Sequence, residues 1–283
     1  MLWGSLSVLL SGVLYGITPL ITMFLYNGGL NTITVNFFRY LFVIPVILLL
    51  AIINKQSLKI KKEDLYKMIF KVASASIATN LLLAGSYNYI NTGTATSLHF
   101  LYPVIVIMIC VFLYHEKMSK ALLSAVILVI IAMGLFIISN IDGDMIGILM
   151  AALSSLTYAI YILEIERTRS NRLPPLVFSF YLSLITSISM IFVSFVIEPI
   201  NITISFDQAF LFGCLGVVTL FAVSLFQFGS KKLGSKLCAL LSLSEPITSV
   251  IVGIIFLNEA LLFNKVLGSI LIIIAIMIVT YRK

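Results

Sequence analysis

The chain has 283 residues, of which 61% are hydrophobic and 10% charged, with a formal net charge of +7 and a mean hydropathy of +1.16. An ordinary soluble domain is about half apolar and about a quarter charged, so a soluble globular protein is excluded. The basic residues gather in short loops between apolar stretches, which removes the case for a nucleic-acid partner.

Ten apolar windows fall at roughly 2–24, 33–53, 69–90, 94–114, 121–139, 145–163, 174–197, 208–228, 237–257 and 264–280. About 20 apolar residues suffice to cross a hydrocarbon core of about 30 Å, and backbone groups in lipid must be satisfied internally, so each window is read as a transmembrane helix. The first, LWGSLSVLLSGVLYGITPL, follows Met1 without a basic leader or a small-residue cleavage site. It is expected to be a retained helix and not a removed signal peptide. It carries Tyr15. The second, ITVNFFRYLF, holds Arg39 inside a span, six residues from its edge. The expected role there is snorkelling to the interface or pairing with Glu198 or Asp207, in preference to substrate binding. Asn80 lies in the third window and Gln227 in the eighth; either binds substrate or holds helices together. Tyr158 and Tyr161 lie in the sixth, on neighbouring positions of one helix. Cys110, Cys214 and Cys238 all fall in apolar spans and read as packing residues.

The fourth and ninth windows hold LHFLYPVIVI and LSLSEPITSV. Each places a proline near mid-membrane, Pro103 and Pro246, where loss of a backbone hydrogen bond kinks a helix and opens space. Beside them stand Tyr102 and Glu245. A carboxylate near the bilayer centre costs at least ~2.5 kcal/mol on insertion scales, so Glu245 is expected to face a cavity or a partner. His99 lies one turn before Pro103, with a near-neutral titration range suited to proton coupling; a hydrogen-bonded packing role is the alternative.

The loops NKQSLKIKKEDLYK, HEKMSK, RTRSNR, KKLGSK and the terminal YRK alternate with YNGGLNT, INT, NIDGD, EPINITISFD and NEALLFNK. Placing the first set in the cytosol puts fifteen of the eighteen Lys and Arg there and Lys71 at the same edge of the third window, leaving Lys265 outside and Arg39 within a span. The expectation is a multi-pass protein of the cell membrane with both termini cytoplasmic.

An ungapped shift of 143 residues aligns Gly4 with Gly147, Ser11 with Ser154, Tyr15 with Tyr158, Phe37 with Phe180, Pro103 with Pro246 and Glu116 with Glu259. Five crossings per copy make the second copy enter from the opposite side. The fold class expected is therefore all-α integral membrane, ten helices in a 5+5 inverted-topology repeat, with copies at 1–139 and 144–283. Secondary carriers are commonly built this way, with substrate held near the midplane between the copies.

The strings LYPVIVIMICVFLYHEKMS and SEPITSVIVGIIFLNEALL resemble the paired signatures of the EamA family, in the drug/metabolite transporter superfamily, and the resemblance spans both copies. It implies a ten-helix carrier, often an exporter of amino acids or related metabolites. The first copy departs from the pattern, with Tyr102 where glutamate often stands and His115 where glycine is common. Glu116 and Glu259 resemble the family's loop glutamate and are expected to cap the helices that follow.

The chain carries no GxxxxGK[ST] phosphate loop, HExxH, GxSxG or CxxC, so no nucleotide, metal or other cofactor is expected. Asp142 and Asp144 belong to a short turn. One intramembrane carboxylate amid tyrosines suits a small zwitterion or cation, with protons as a candidate coupling ion. The substrate site expected is Glu245, Tyr102 and His99 with Tyr15, Tyr158, Tyr161, Asn80 and Gln227. The alternative is an intramembrane enzyme or lipid-handling protein using Glu245 and His99 as an acid–base pair; duplication favours the carrier, because alternating access needs two gates.

Overall fold

A computed structural model describes residues 2–90, 92–138, 144–257 and 262–281. Helix α1 (Leu2–Asn27) is followed by α2 (Thr32–Leu41) and α3 (Val43–Ile53), which form one span broken at Phe42. The third span is α4 (Lys62–Lys67), a π-helical stretch at Met68–Ala73 and α5 (Ser74–Ser86). The fourth is α6 (Thr92–His99) and α7 (Tyr102–Met108), which ends in a second π-helical stretch at Ile109–Leu113. Then come α8 (Lys120–Ile138), α9 (Met145–Arg167), α10 (Pro175–Ser194), α11 (Phe206–Leu233), the pair α12 (Ser235–Leu241) and α13 (Ser244–Leu257), and α14 (Phe263–Tyr281). Among the described residues nine of these spans have the length and apolarity to cross a membrane, and Lys120–Phe136 is a shorter apolar tenth. Large apolar side chains such as Ile52, Phe112, Phe192 and Phe206 stand exposed around the bundle, as lipid-facing positions would.

The prolines act differently from a simple kink. The fourth span breaks at Phe100–Leu101 and the ninth at Ser242–Leu243, and each proline lies within the first turn of the helix after the break. There its missing N–H is no loss, because the first turn has no intrahelical acceptor for it. Serine hydroxyls surround the ninth-span break: Ser242 Oγ donates to Cys238 O at 2.8 Å, which also accepts from Ser242 N, and Ser244 Oγ lies 3.1 Å from Leu241 O and 2.9 Å from Leu9 O on α1.

Packing between the two halves is reciprocal. Helix α1 of the first half lies against α11 and α13 of the second, while α9 of the second lies against α5, α6 and α7 of the first. Helices α2 and α3 meet α10, and α8 meets α14. The approach of α1 to α13 needs glycine: a Cβ at Gly12 would come 2.1 Å from Ser244 Oγ, and one at Gly16 2.7 Å from Glu245 O. Bare backbone at these two positions, one turn apart, lets the Glu245 segment seat directly on α1.

Two loop expectations change. Ser119 caps α8 through Leu122 N. Glu116 instead pairs with Lys236 at 2.5 Å. Asp144 caps α9, accepting from Ile146 N; Glu259 and Asp142 lie outside the described residues.

Candidate functional site

Between the halves lies a cavity of about 1230 Å³. Its walls include Asn27 at the end of α1 and the loop residues Asn88, Glu198 and Leu262, all at the end away from the basic loops. Of the residues singled out from sequence, it brings together Tyr15, Asn80, His99, Tyr158, Tyr161 and Glu245, with Pro246 beside them. Tyr102, Pro103 and Gln227 are not in its wall.

Each placement has a local cause. Tyr158 and Tyr161, three residues apart on α9, stack at 5.6 Å between centroids. Tyr158 also meets the His99 ring at 5.1 Å and Tyr102 edge-on at 4.6 Å. Tyr102 is thus wholly buried behind the aromatic wall, its hydroxyl near Ser242 but in no hydrogen bond of ordinary geometry. His99 Nδ1 lies 3.0 Å from Ser154 Oγ. The Ser154 hydroxyl gives its proton to Ala151 O at 2.6 Å, so it can only accept from the ring. Nδ1 therefore carries a proton, and in the neutral ring Nε2 is the acceptor. Asn80 Nδ2 donates to the Tyr40 hydroxyl at 3.4 Å.

Gln227 has a different task. Its amide donates to Ser170 O and Leu173 O, both at 3.0 Å, and ties α11 to the turn after α9. It belongs to the basic-loop end and not to the substrate wall.

The expectation for Arg39 is overturned. Arg39 lines the cavity along with Glu245, and its Nε donates to Thr219 Oγ1 at 2.8 Å. Among the described residues it forms no ion pair with Glu198 or Asp207. The signal was present in the sequence, since Asn36, Arg39 and Tyr40 share one face of α2 at helical spacing, and all three line the cavity.

At the basic-loop end the helices close beneath the cavity. Helix α12 packs against α7 and α9, with Cys110 Sγ 3.8 Å from Ser235 Oγ and Ser235 N donating to Glu166 Oε2 at 2.6 Å. Around this seam lie the Lys236–Glu116 pair, the Lys71–Glu164 pair at 3.8 Å, and the Arg167 guanidinium over the Tyr114 ring.

The EamA-like transporter family model matches residues 2–139 and again 145–281. The chain belongs to the EamA-like transporter family. A relative in Archaeoglobus fulgidus, described as an uncharacterized transporter, is 25% identical over 256 residues, covering 89% of this chain and 90% of its own length. A crystal structure superposes with a TM-score of 0.80 over 98% of this chain and 96% of that one, at 15% identity, a likeness of fold. The chain is accordingly a multi-pass membrane transporter with the two-repeat fold of its family.

Proposed function

We propose that this transporter is a secondary carrier that moves a small zwitterionic or cationic solute, such as an amino acid, by alternating access between units at 1–139 and 144–283. The observation that carries the reading is Glu245: a carboxylate on a broken helix, in a cavity between the halves, faced by Tyr15, Tyr158 and Tyr161. A carboxylate at that depth is costly unless it meets water or a cation. Tyrosine faces are attractive to an ammonium group. Anionic solutes such as phosphate esters usually require several Arg and Lys around the oxyanion, and this wall holds one arginine, Arg39, and one lysine, Lys265.

With both termini in the cytosol of a cell-membrane protein, the cavity faces outward and the α7–α12 seam is the closed inner gate. Among the described residues the pseudo-equivalent pair, α6 and α13, makes no comparable packing, as an open outer gate would require. Export is the direction suggested by the family resemblance, driven by the solute's own gradient or by protons. An acid–base role for Glu245 with His99 gains nothing here, because among the described residues the His99 ring is hydrogen-bonded to Ser154 and not to Glu245.

Glu245→Gln keeps the shape and removes the charge. Amino-acid or amine transport in proteoliposomes should fall at least about tenfold, equivalent to about 1.4 kcal/mol, while the variant stays folded. Normal transport by Glu245→Gln would refute a role for the carboxylate.

A further inference from the structure

We propose that Arg39 is the carboxylate anchor of this cavity, so that the solute is a zwitterion held by Glu245 at its ammonium end and by Arg39 at its carboxylate end. The inference rests on the cavity being the transport site.

Arg39 is set into the wall and does not extend to the interface. It stands seven residues into α2, about 10 Å below the start of the span. Its Nε is committed to Thr219 Oγ1 on α11 at 2.8 Å. Thr219 gives its own proton to Leu215 O at 2.7 Å, which fixes the threonine oxygen as the acceptor. Gly216, one turn earlier, brings the helices close: a Cβ there would lie 3.2 Å from Arg39 O. The guanidinium is thus aimed from behind, with Nε engaged and its two Nη groups left without another hydrogen-bond partner among the described residues. That free edge is the one that binds a carboxylate through two parallel hydrogen bonds.

Charge accounting gives the same result. An arginine inside the bilayer requires a counter-charge or water, and among the described residues none stands within ion-pair distance of Arg39. Glu245, ten residues into the ninth span, lies on the opposite repeat. From helical rise their Cα atoms differ by about 6 Å in depth. They face one cavity without touching, and a solute carrying both charges can bridge them. Glu198 and Lys265 also line the cavity, but neither is ion-paired with Arg39 or Glu245 among the described residues, so a simple cation would leave Arg39 without a contacting counter-charge and a simple anion would leave Glu245 so.

The test uses the full-length carrier in proteoliposomes with matched probes: the α-amino acids, γ-aminobutyrate and glycine betaine, each beside its counterpart lacking the carboxylate, with choline as the partner of betaine. Wild type should carry at least one zwitterion at least tenfold better than its counterpart. Arg39→Gln should abolish that preference by lowering zwitterion transport about tenfold with little change in the amine. Arg39→Lys, which keeps charge but loses the paired geometry, should retain an intermediate preference; it decides the matter if Arg39→Gln fails to fold. A wild type that carries no zwitterion, or prefers the amines, overturns the proposal, as does an unchanged ratio in both Arg39 variants. Loss of both probe classes in Glu245→Gln, with an unchanged ratio in the Arg39 variants, would sink the anchor and leave the transport site standing. Normal transport by Glu245→Gln would sink the site itself.

Discussion

At the scale of single residues, His115 has a measurable consequence. It occupies φ +53°, in the left-handed region where an L side chain crowds the following carbonyl at a cost of about 1–2 kcal/mol. Glycine relieves that crowding but restores about 0.4–1 kcal/mol of freedom to the unfolded chain. His115→Gly should therefore stabilise by about 0.5–1 kcal/mol, seen as a rise of about 2 °C in detergent-solubilised unfolding; an unchanged or lower midpoint would show that the side chain compensates for its backbone. Glu245 stood out because charge is expensive in lipid. In sequence Gln227 reads as either a substrate ligand or a helix tie, because polarity marks a buried amide without revealing its partner; its partners are carbonyls in a turn more than fifty residues away. The distance of Arg39 from the span edge points it to the interface. What decides its direction is Thr219, on a helix 180 residues later.

At the scale of elements, the spans were legible because their cause is local: apolar length alone demands backbone self-satisfaction. The offset prolines were legible too, but the form of the break was not. It depends on which carbonyls the serine hydroxyls around the break reach, which residue spacing does not disclose. The breaks matter for gating, since α12 can close on α7 only if it is free of the direction of α13. The native Cys110, 3.8 Å from Ser235 Oγ, offers a lock. In Ser235→Cys the two sulfurs would lie near bonding reach, and mild oxidation should tie α12 to the end of the fourth span. If this seam is the gate that opens during transport, the oxidised variant should lose at least nine-tenths of its activity and regain it with reductant. Full activity in the cross-linked protein would show that the seam stays shut throughout the cycle. The Lys236–Glu116 pair beside it is partly exposed, so its contribution is about 1 kcal/mol at most. A contact that weak closes a gate without jamming it.

At the scale of the whole molecule, the 143-residue offset disclosed two copies, but not that each copy's first helix packs on the third and fourth spans of the other. Such exchange leaves no mark on periodicity, because it concerns which apolar face meets which. It also means that α1 with α11 and α13, and α9 with α5 to α7, are the packed groups across which a cavity can open. Charge predicts which end faces the cytosol: basic loops resist translocation, and the loops opposite them are nearly free of Lys and Arg. Single cysteines at exposed positions test this. Ser57→Cys and Arg172→Cys lie at the basic-loop end and Thr203→Cys at the other, and all three positions are exposed. The native cysteines confuse the assay little, since Cys110 and Cys238 are buried and Cys214 lies within α11. In intact cells a membrane-impermeant maleimide should label Thr203→Cys alone, and permeabilisation should expose the other two. Labelling of Ser57→Cys in intact cells would turn the molecule over, making the cavity described here the cytosol-facing state and the α7–α12 seam the outer gate.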